Sequence, residues 1–554
     1  MKTMTMKKLA LATLTVVLGL AVGTGCYRVP AHERRGPSTS EAVEGDGTGS
    51  ARPSEPEPAQ EFSGLRVVNG KPFADMYFKH YGVNPTIDTE EESVSTFSVD
   101  VDTASYTLAR SYLSRGHLPE EEAVRVEEFI NAFKYDYTDP GNAPFGVQVE
   151  AFPSPNRKGY HVLHVGLKGR EVSRAERLPA HLVFTIDISG SMAMENRLGM
   201  VKRALALLVD QLDARDTIAI VVYGDGARTV LEPTRATDRG RILEAIDGLR
   251  PEGATNVQAG LNMAYAIAAR QAREGAVSRV ILCSDGVANN GITSGDAIFA
   301  SVKDYAQRGV RLTTVGFGMG NYNDVLMERL AHQGDGQYAY VDQLAEAKRL
   351  FSEQLTGTLQ LIARDVKVQL EFDKAVVSRY RLIGFENRVL AKEDFANDKV
   401  DAGDIGAGHT VTALYEVKFR EAPARSASSF ATLRIRYKEP STTLEAGSSG
   451  LVEKTLPTAI VRQSLEAASG PSQLSVVVAL FAEKLRGSYW ARTVTYEQLL
   501  RLWSELPEPI RVRPEVGELR ELIKVAKVFD SRGDKFEKTV PVAKMDFDHV
   551  PVVR

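Results

Sequence analysis

Between residue 181 and about residue 355 the chain alternates short, almost wholly apolar runs with amphipathic stretches, an order that few folds accommodate. The runs 182–187, 217–223, 227–231, 279–284, 310–316 and 337–341 read as strands. Thr217-Ile-Ala-Ile-Val-Val222 lacks a polar face, so such a strand must be covered on both sides. Helical patterns fall at about 196–213, 238–248, 256–272, 295–308, 323–332 and 343–356. Together they predict α/β architecture with a central, doubly wound, mostly parallel sheet. The tight link from 223 to 227 fits a hairpin, so 227–231 is expected to run antiparallel. Ligands of open α/β sheets bind beyond the carboxyl ends of the strands, which directs attention to the residues found there.

Those residues carry oxygen. Asp187, Ser189 and Ser191 stand as D-I-S-G-S behind the run His181-Leu-Val-Phe-Thr-Ile186. Thr255 follows Pro-Glu-Gly-Ala254, and Asp285 closes the run Val280-Ile-Leu-Cys-Ser284. Short oxygen-bearing side chains from three distant segments suit a hard divalent cation in near-octahedral coordination. One ion is expected, Mg2+ first, with Mn2+ or Ca2+ as alternatives. Because the hydroxyls of Ser189, Ser191 and Thr255 are neutral, a cation among them keeps charge with which to recruit an anion. The competing reading is that these Asp and Ser residues only cap turns.

A chain of 554 residues exceeds one hydrophobic core, so two or three domains are expected. Upstream, 97–101 reads as a strand, with Asp102 capping a helix over 103–115 and a second helix over 124–133. Strand-like runs follow at 146–152 and 160–167, giving an N-terminal α+β region over 66–175. Asp100-x-Asp102 reads as an acidic strand end and helix cap rather than half of a metal site. Downstream, alternation at 366–372, 380–383, 410–419 and 431–437 predicts sheet, with 440–450 as turns or loops. Helical patterns return at 473–486, 496–504 and 516–529, so 365–545 is expected to be a β-rich plus helical module. The central sheet occupies 180–356.

The first residues look like an export signal. Lys2, Lys7 and Lys8 precede the apolar stretch 9–22, which is short for a stable membrane span, and Gly23-Thr24-Gly25 lead to Cys26. The pattern resembles a bacterial lipoprotein signal over 1–25, cleaved before an acylated Cys26. Such signals usually carry an aliphatic residue where Gly23 stands, and an ordinary secretory signal is the alternative. Tyr27 after Cys26 is compatible with sorting to the outer membrane, by the usual rule for such lipoproteins. Residues 26–65 are rich in Pro, Glu, Ser and Gly and read as a disordered tether. The only other cysteine, Cys283, sits in an apolar run and is expected to be a buried core residue. A net charge of −4 and the lack of a basic stripe exclude nucleic acid as an expected partner.

The D-x-S-x-S…T…D constellation resembles the metal-ion-dependent adhesion site of von Willebrand factor type A domains. Further strings resemble one bacterial family of exported type A lipoproteins. Phe97-Ser-Val-Asp-Val-Asp-Thr-Ala-Ser-Tyr106 is similar to its dedicated N-terminal domain, and Gly316-Phe-Gly-Met-Gly-Asn-Tyr-Asn323 to its type A domain. Tyr380-Arg-Leu-Ile-Gly-Phe-Glu-Asn387 and Asp401-Ala-Gly-Asp-Ile-Gly-Ala-Gly-His-Thr410 resemble its C-terminal domain of unknown function. The resemblance implies a Rossmann-like type A sheet with Ser189, Ser191 and Thr255 as direct metal ligands. Asp187 and Asp285 would then act chiefly through water or as orienters, with water or a partner carboxylate completing the shell.

The implied role is binding rather than catalysis: a protein partner offers a carboxylate, and the lipid anchor holds the chain in the bacterial envelope. The alternative is an envelope scaffold whose metal only braces loops. A hydrolase has less support, because Ile-Ser-Gly-Ser-Met is not a G-x-S-x-G elbow, His161 and His164 lack helical metal spacing, and no H-E-x-x-H occurs. Gly316-x-Gly-x-Gly320 departs from dinucleotide spacing and reads as a tight turn. His409 reads as a loop or interface residue. The residues leave the oligomeric state open.

Overall fold

The computed structural model describes residues 75–286, 295–421, 429–440 and 449–536. The expected export signal and tether, with Cys26, lie outside them. Six strands form the central sheet: β1 (Ala180–Asp187), β2 (Thr217–Tyr223), β3 (Ala227–Arg235), β4 (Val277–Ser284), β5 (Val310–Phe317) and β6 (Tyr338–Val341). Their order is β6-β5-β4-β1-β2-β3, all parallel except β3, which runs antiparallel to β2 as the short link requires. Every residue of β1 and β4 is buried, because helices cover both faces. One face carries Arg197–Val209 and Arg239–Asp247, and the other carries Val257–Gln271 and Asp324–Gln333. Asn256 starts Val257–Gln271 by accepting the Ala259 N–H at 3.0 Å. Gly260 lets that helix approach β2, since a Cβ there would meet the Tyr223 ring at 2.5 Å.

Three local expectations are corrected. Asp102 does not cap its helix: Thr103 takes the cap position of Ala104–Ser114, and the Asp102 carboxylate instead accepts the Tyr338 N–H at 2.9 Å across the molecule. The helix expected over 343–356 breaks into Leu344–Lys348, a π turn at Arg349–Glu353 and Leu355–Leu359. Ser449–Pro457, whose first residues were expected to close a loop, is a strand along the edge of a sheet.

The larger correction concerns the flanks, expected as separate domains over 66–175 and 365–545. They build one β-sandwich together. Val94–Ser98 pairs with Leu361–Phe372, which pairs with Ser429–Lys438 and through it with Ser449–Pro457. The hairpin Phe145–Pro153/His161–Gly169 joins Thr410–Phe419, which pairs with Val377–Ile383. Phe97, Leu163, Val368, Tyr380, Tyr415 and Phe430 meet in the core between the sheets. Helices Ala104–Ser114 and Val126–Asn131 pack with Gly470–Leu485, Tyr496–Glu505 and Pro514–Phe529 in a second core. The central α/β unit is therefore an insertion between the strands His161–Gly169 and Leu361–Phe372. Its two ends meet where the Leu178 N–H donates to Gln360 Oε1 at 3.1 Å.

Interleaving makes the N-terminal flank dependent on chain made some two hundred residues later. A fragment ending at Leu359 should therefore leave residues 75–175 open to trypsin while the inserted unit stays protected. Adding a fragment covering 360–536 should restore protection. Equal resistance of 75–175 in the truncated and intact chains, read by mass spectrometry of the digest, would contradict the shared sandwich.

Candidate metal site

β1 and β4 are neighbours, with Ile186 opposite Cys283, so Asp187 and Asp285 leave the sheet side by side at its carboxyl edge. Both are fully buried. Asp187 Oδ1 accepts the Ser189 N–H at 2.8 Å, folding the chain back into a turn, and Oδ2 accepts the Ser284 hydroxyl at 3.0 Å. The turn places the Ser189 and Ser191 Oγ atoms 3.0 Å apart. Two ligands on adjacent corners of a Mg2+ octahedron lie about 2.9 Å apart, given bond lengths of about 2.05 Å.

The third segment is strapped to the first. Gly190 N–H donates to Gly253 O at 3.1 Å, and Glu252 N–H donates to Ile188 O at 2.5 Å. Gly253 has φ +77°, and Asp225 Oδ1 accepts the next N–H, that of Ala254, at 2.9 Å. Asn256 N–H reaches Gly224 O at 2.9 Å. Thr255, 4% exposed, is held on this strap between two anchored neighbours.

Asp285 Oδ2 takes Arg197 Nη1 at 2.7 Å, whereas its buried Oδ1 has no hydrogen-bond partner among the described residues. Burial, with the Asp285 charge beside it, pushes Asp187 up to about 7. Two buried carboxylates that repel each other, one with an orphaned oxygen, next to two hydroxyls at octahedral spacing, fit a divalent cation. Among the described residues no cluster of three or more His, Cys, Asp or Glu could hold a metal. Hydroxyls, which such clusters omit, make up most of this donor set.

Sequence reasoning overlooked Arg197 and Ser284. A signal for Arg197 exists: it opens the helix Arg197–Val209, where the dipole disfavours a cation, so a nearby anion is needed. Glu195 and Asn196 before it both adopt left-handed backbone, φ +47° and +58°, a conformation costing roughly 1–2 kcal/mol per non-glycine residue. That turn delivers Arg197 to Asp285, and its second guanidinium nitrogen donates to Met319 O. Gly199 makes room, because a Cβ there would overlap the Asn196 side chain.

The other singled-out residues fall elsewhere. Cys283 is buried in β4 as a core thiol. Gly318 and Gly320 have φ +83° and +104° and form the turn after β5. His164 is buried between the Tyr137 hydroxyl at 2.8 Å and the Ser475 hydroxyl at 3.0 Å, and burial lowers it to about 4. His409 stands at the seam between sandwich and central sheet, its Nδ1 3.2 Å from Gln337 Nε2, on a cavity of about 440 Å3.

The profile described as von Willebrand factor type A domain matches residues 182–287. One described as von Willebrand factor matches 72–164, and one described as Uncharacterized protein YfbK, C-terminal, matches 357–527. The chain is 37% identical over 474 residues to the uncharacterized protein YfbK of Escherichia coli K12, covering 80% of each. It is 26% identical over 318 residues to inter-alpha-trypsin inhibitor heavy chain H3 of Mesocricetus auratus, covering 54% of this chain and 33% of that one. A solved von Willebrand factor type A protein from Catenulispora acidiphila superposes with TM-score 0.41 at 17% identity, covering 72% of this chain and 91% of that one.

A cation held here would favour the ionised Asp187, so affinity should rise with pH through about 7 and level off above about 8. Calorimetric titration of Mg2+ should give one site, bound roughly tenfold more weakly at pH 6 than at pH 8, with proton release that vanishes in Asp187→Asn. In the metal-free protein the raised carboxyl lends stability at pH below the unfolded value, and that contribution is lost as pH rises through about 7. Metal-free Asp187→Asn should therefore melt higher than wild type at pH 8. Affinity independent of pH, or heat of binding unchanged in the variant, would remove Asp187 from the site.

Proposed function

Since the chain belongs to the bacterial von Willebrand factor type A family that includes YfbK of Escherichia coli, we propose that it is a metal-dependent protein-interaction module of the cell envelope. Ser189, Ser191 and Thr255 would hold one divalent cation through their hydroxyls, Mg2+ by preference. Asp187 and Asp285 would orient them and balance charge. When bound, the cation supplies an electrophilic point at the carboxyl edge of the sheet that accepts a carboxylate from a protein partner. The observation that carries the reading is the orphaned Asp285 oxygen beside Asp187 and the two serine hydroxyls 3.0 Å apart.

Residues of the chain do the positioning. The Asp187 turn and the strap through Gly253 fix the two hydroxyl-bearing segments before any partner arrives, so little order is lost on binding. Ser189 Oγ has the Ser191 hydroxyl as its neighbour, an arrangement suited to ligation rather than to nucleophilic attack. Acylation of Cys26 would anchor the chain, and residues 26–65 would give the metal edge its reach from the membrane. A scaffold in which the cation merely braces loops is the second reading, favoured by the extensive buried contacts between flank and insertion.

Capture of envelope proteins on the immobilised chain in Mg2+ should be lost in EDTA and in Ser189→Ala, and restored by returning metal to the wild type. Capture that survives both treatments would favour the scaffold. Anchoring has its own readout: the mature chain should enter the detergent phase of a Triton X-114 partition, and Cys26→Ser should stay aqueous or unprocessed. Aqueous wild-type protein would make the chain simply secreted.

A further inference from the structure

We propose that Arg197 sets the electrophilicity of the metal site, lowering its affinity for the cation while raising the affinity of the loaded site for an anion. The inference rests on the functional reading above and concerns this chain's own residues. Arg197 spends one guanidinium nitrogen on Asp285 Oδ2 at 2.7 Å and another on Met319 O, and the side chain is only 3% exposed. It therefore occupies one oxygen of Asp285 and leaves the other, Oδ1, buried without a hydrogen-bond partner among the described residues. Asp285 is thereby confined to a single-oxygen contact or to a water-mediated one.

Asp187, Asp285 and Arg197 sum to −1 with both carboxylates ionised, and the hydroxyls of Ser189, Ser191 and Thr255 add nothing. A divalent ion then leaves the loaded site at +1, in surroundings where screening by water is weak. Without the arginine the same site would be −2 when empty and 0 when loaded. It would bind the cation more tightly and would present no net charge to a carboxylate. The guanidinium is always protonated, so its own charge is constant across physiological pH.

The strained turn before Arg197 supports a selected role. Two consecutive left-handed residues, Glu195 and Asn196, deliver a cation to the end of a helix that repels it. A buried arginine placed only to hold Met319 O would not need to sit on a metal-site carboxylate. The arginine is a positioning and charge-setting residue rather than a ligand.

The test titrates Mn2+ alone into the full chain at pH 8, reading free ion by electron paramagnetic resonance. Acetate is then titrated into the Mn2+-loaded protein, with binding read from its paramagnetic relaxation. Arg197→Met should bind Mn2+ roughly tenfold or more tightly and acetate several-fold more weakly. Arg197→Gln, which keeps a donor to Asp285 without the charge, should behave in the same direction and serves if Arg197→Met does not fold. Arg197→Lys should keep both constants near wild type. A merely structural role would lower both affinities together, and that outcome, or unchanged constants in Arg197→Gln, would overturn the proposal while leaving the metal reading in place. Failure of the wild type to bind Mn2+ at all would sink the functional reading itself, and this inference with it.

Discussion

The arrangement of the two parts of this protein rests on a buried ion-pair network at their seam. Arg125, 5% exposed and contributed by the N-terminal flank, pairs with Glu128 beside it and with Asp324 of the inserted unit at 2.7 Å. Asp324 also accepts the Tyr338 hydroxyl at 2.6 Å, and Tyr338 in turn gives its N–H to Asp102 of the flank. Arg388, from the C-terminal flank, reaches Asp100 at 3.0 Å and lies 3.6 Å from Glu328. All three stretches of chain are thus tied through two guanidinium groups. The acids outnumber them, and burial with the Asp100 charge holds Asp102 well above the usual carboxylate range. Burying such charges costs several kcal/mol per ion before pairing offsets it, so the network contributes orientation more than stability. Breaking one partner would strand the others, which makes the seam a stiff joint.

Part of that network lies near the carboxyl edge of the sheet, since Asp324 opens the helix that follows Asn321–Asn323. The inserted unit joins the sandwich at the amino ends of its strands, where Leu178 meets Gln360, and presents Asp187 and Asp285 at their carboxyl ends. Eight-residue strands place these edges roughly 26 Å apart. Between them lies a sheet whose central strands are buried along their whole length, a medium that deforms little. The flank also climbs the side: Asp75–Tyr77 pairs with Asn321–Asn323, and Asn323 donates its N–H to Gly286 O, next to Asp285. Arg115 reaches Glu195 at 3.3 Å, beside the turn that delivers Arg197. The edge that carries Asp187 and Asp285 is therefore buttressed from the flank as well as from its own sheet.

How much of this was readable in the chain divides along the range of the interactions. Five of the six central strands were legible because burial on both faces writes a continuous apolar run, whereas the partly exposed, antiparallel β3 was legible from the tight link before it. Asp187, Ser189, Ser191, Thr255 and Asp285 were legible because each follows such a run or its connecting loop. The joint sandwich was not, since strand alternation shows that a face is buried but not against which partner. Val94–Ser98 looks the same whether it pairs locally or with Leu361–Phe372, more than two hundred and fifty residues on. Asp102 misled for a related reason: an acid before a helix is a cap by local logic, until a distant N–H such as that of Tyr338 competes for it. Ser449–Pro457 was missed because most of its residues are exposed, so an edge strand leaves little hydrophobic pattern.

Arg197 is the case where local and distant logic conflict visibly enough to be read as a signal. A cation at a helix start, preceded by two residues in left-handed backbone, violates two local preferences at once. Such violations persist only where something else compensates, and here the compensation is Asp285, eighty-eight positions away. The same carboxylate is half satisfied by the arginine and half left open. A site meant only to be stable would satisfy both oxygens, since an unpaired buried acceptor costs about 1–3 kcal/mol. The open oxygen and the crowded Asp187, beside the paired hydroxyls of Ser189 and Ser191, leave interaction capacity at this edge. Its rigid mounting on the sandwich keeps that potential from relaxing away.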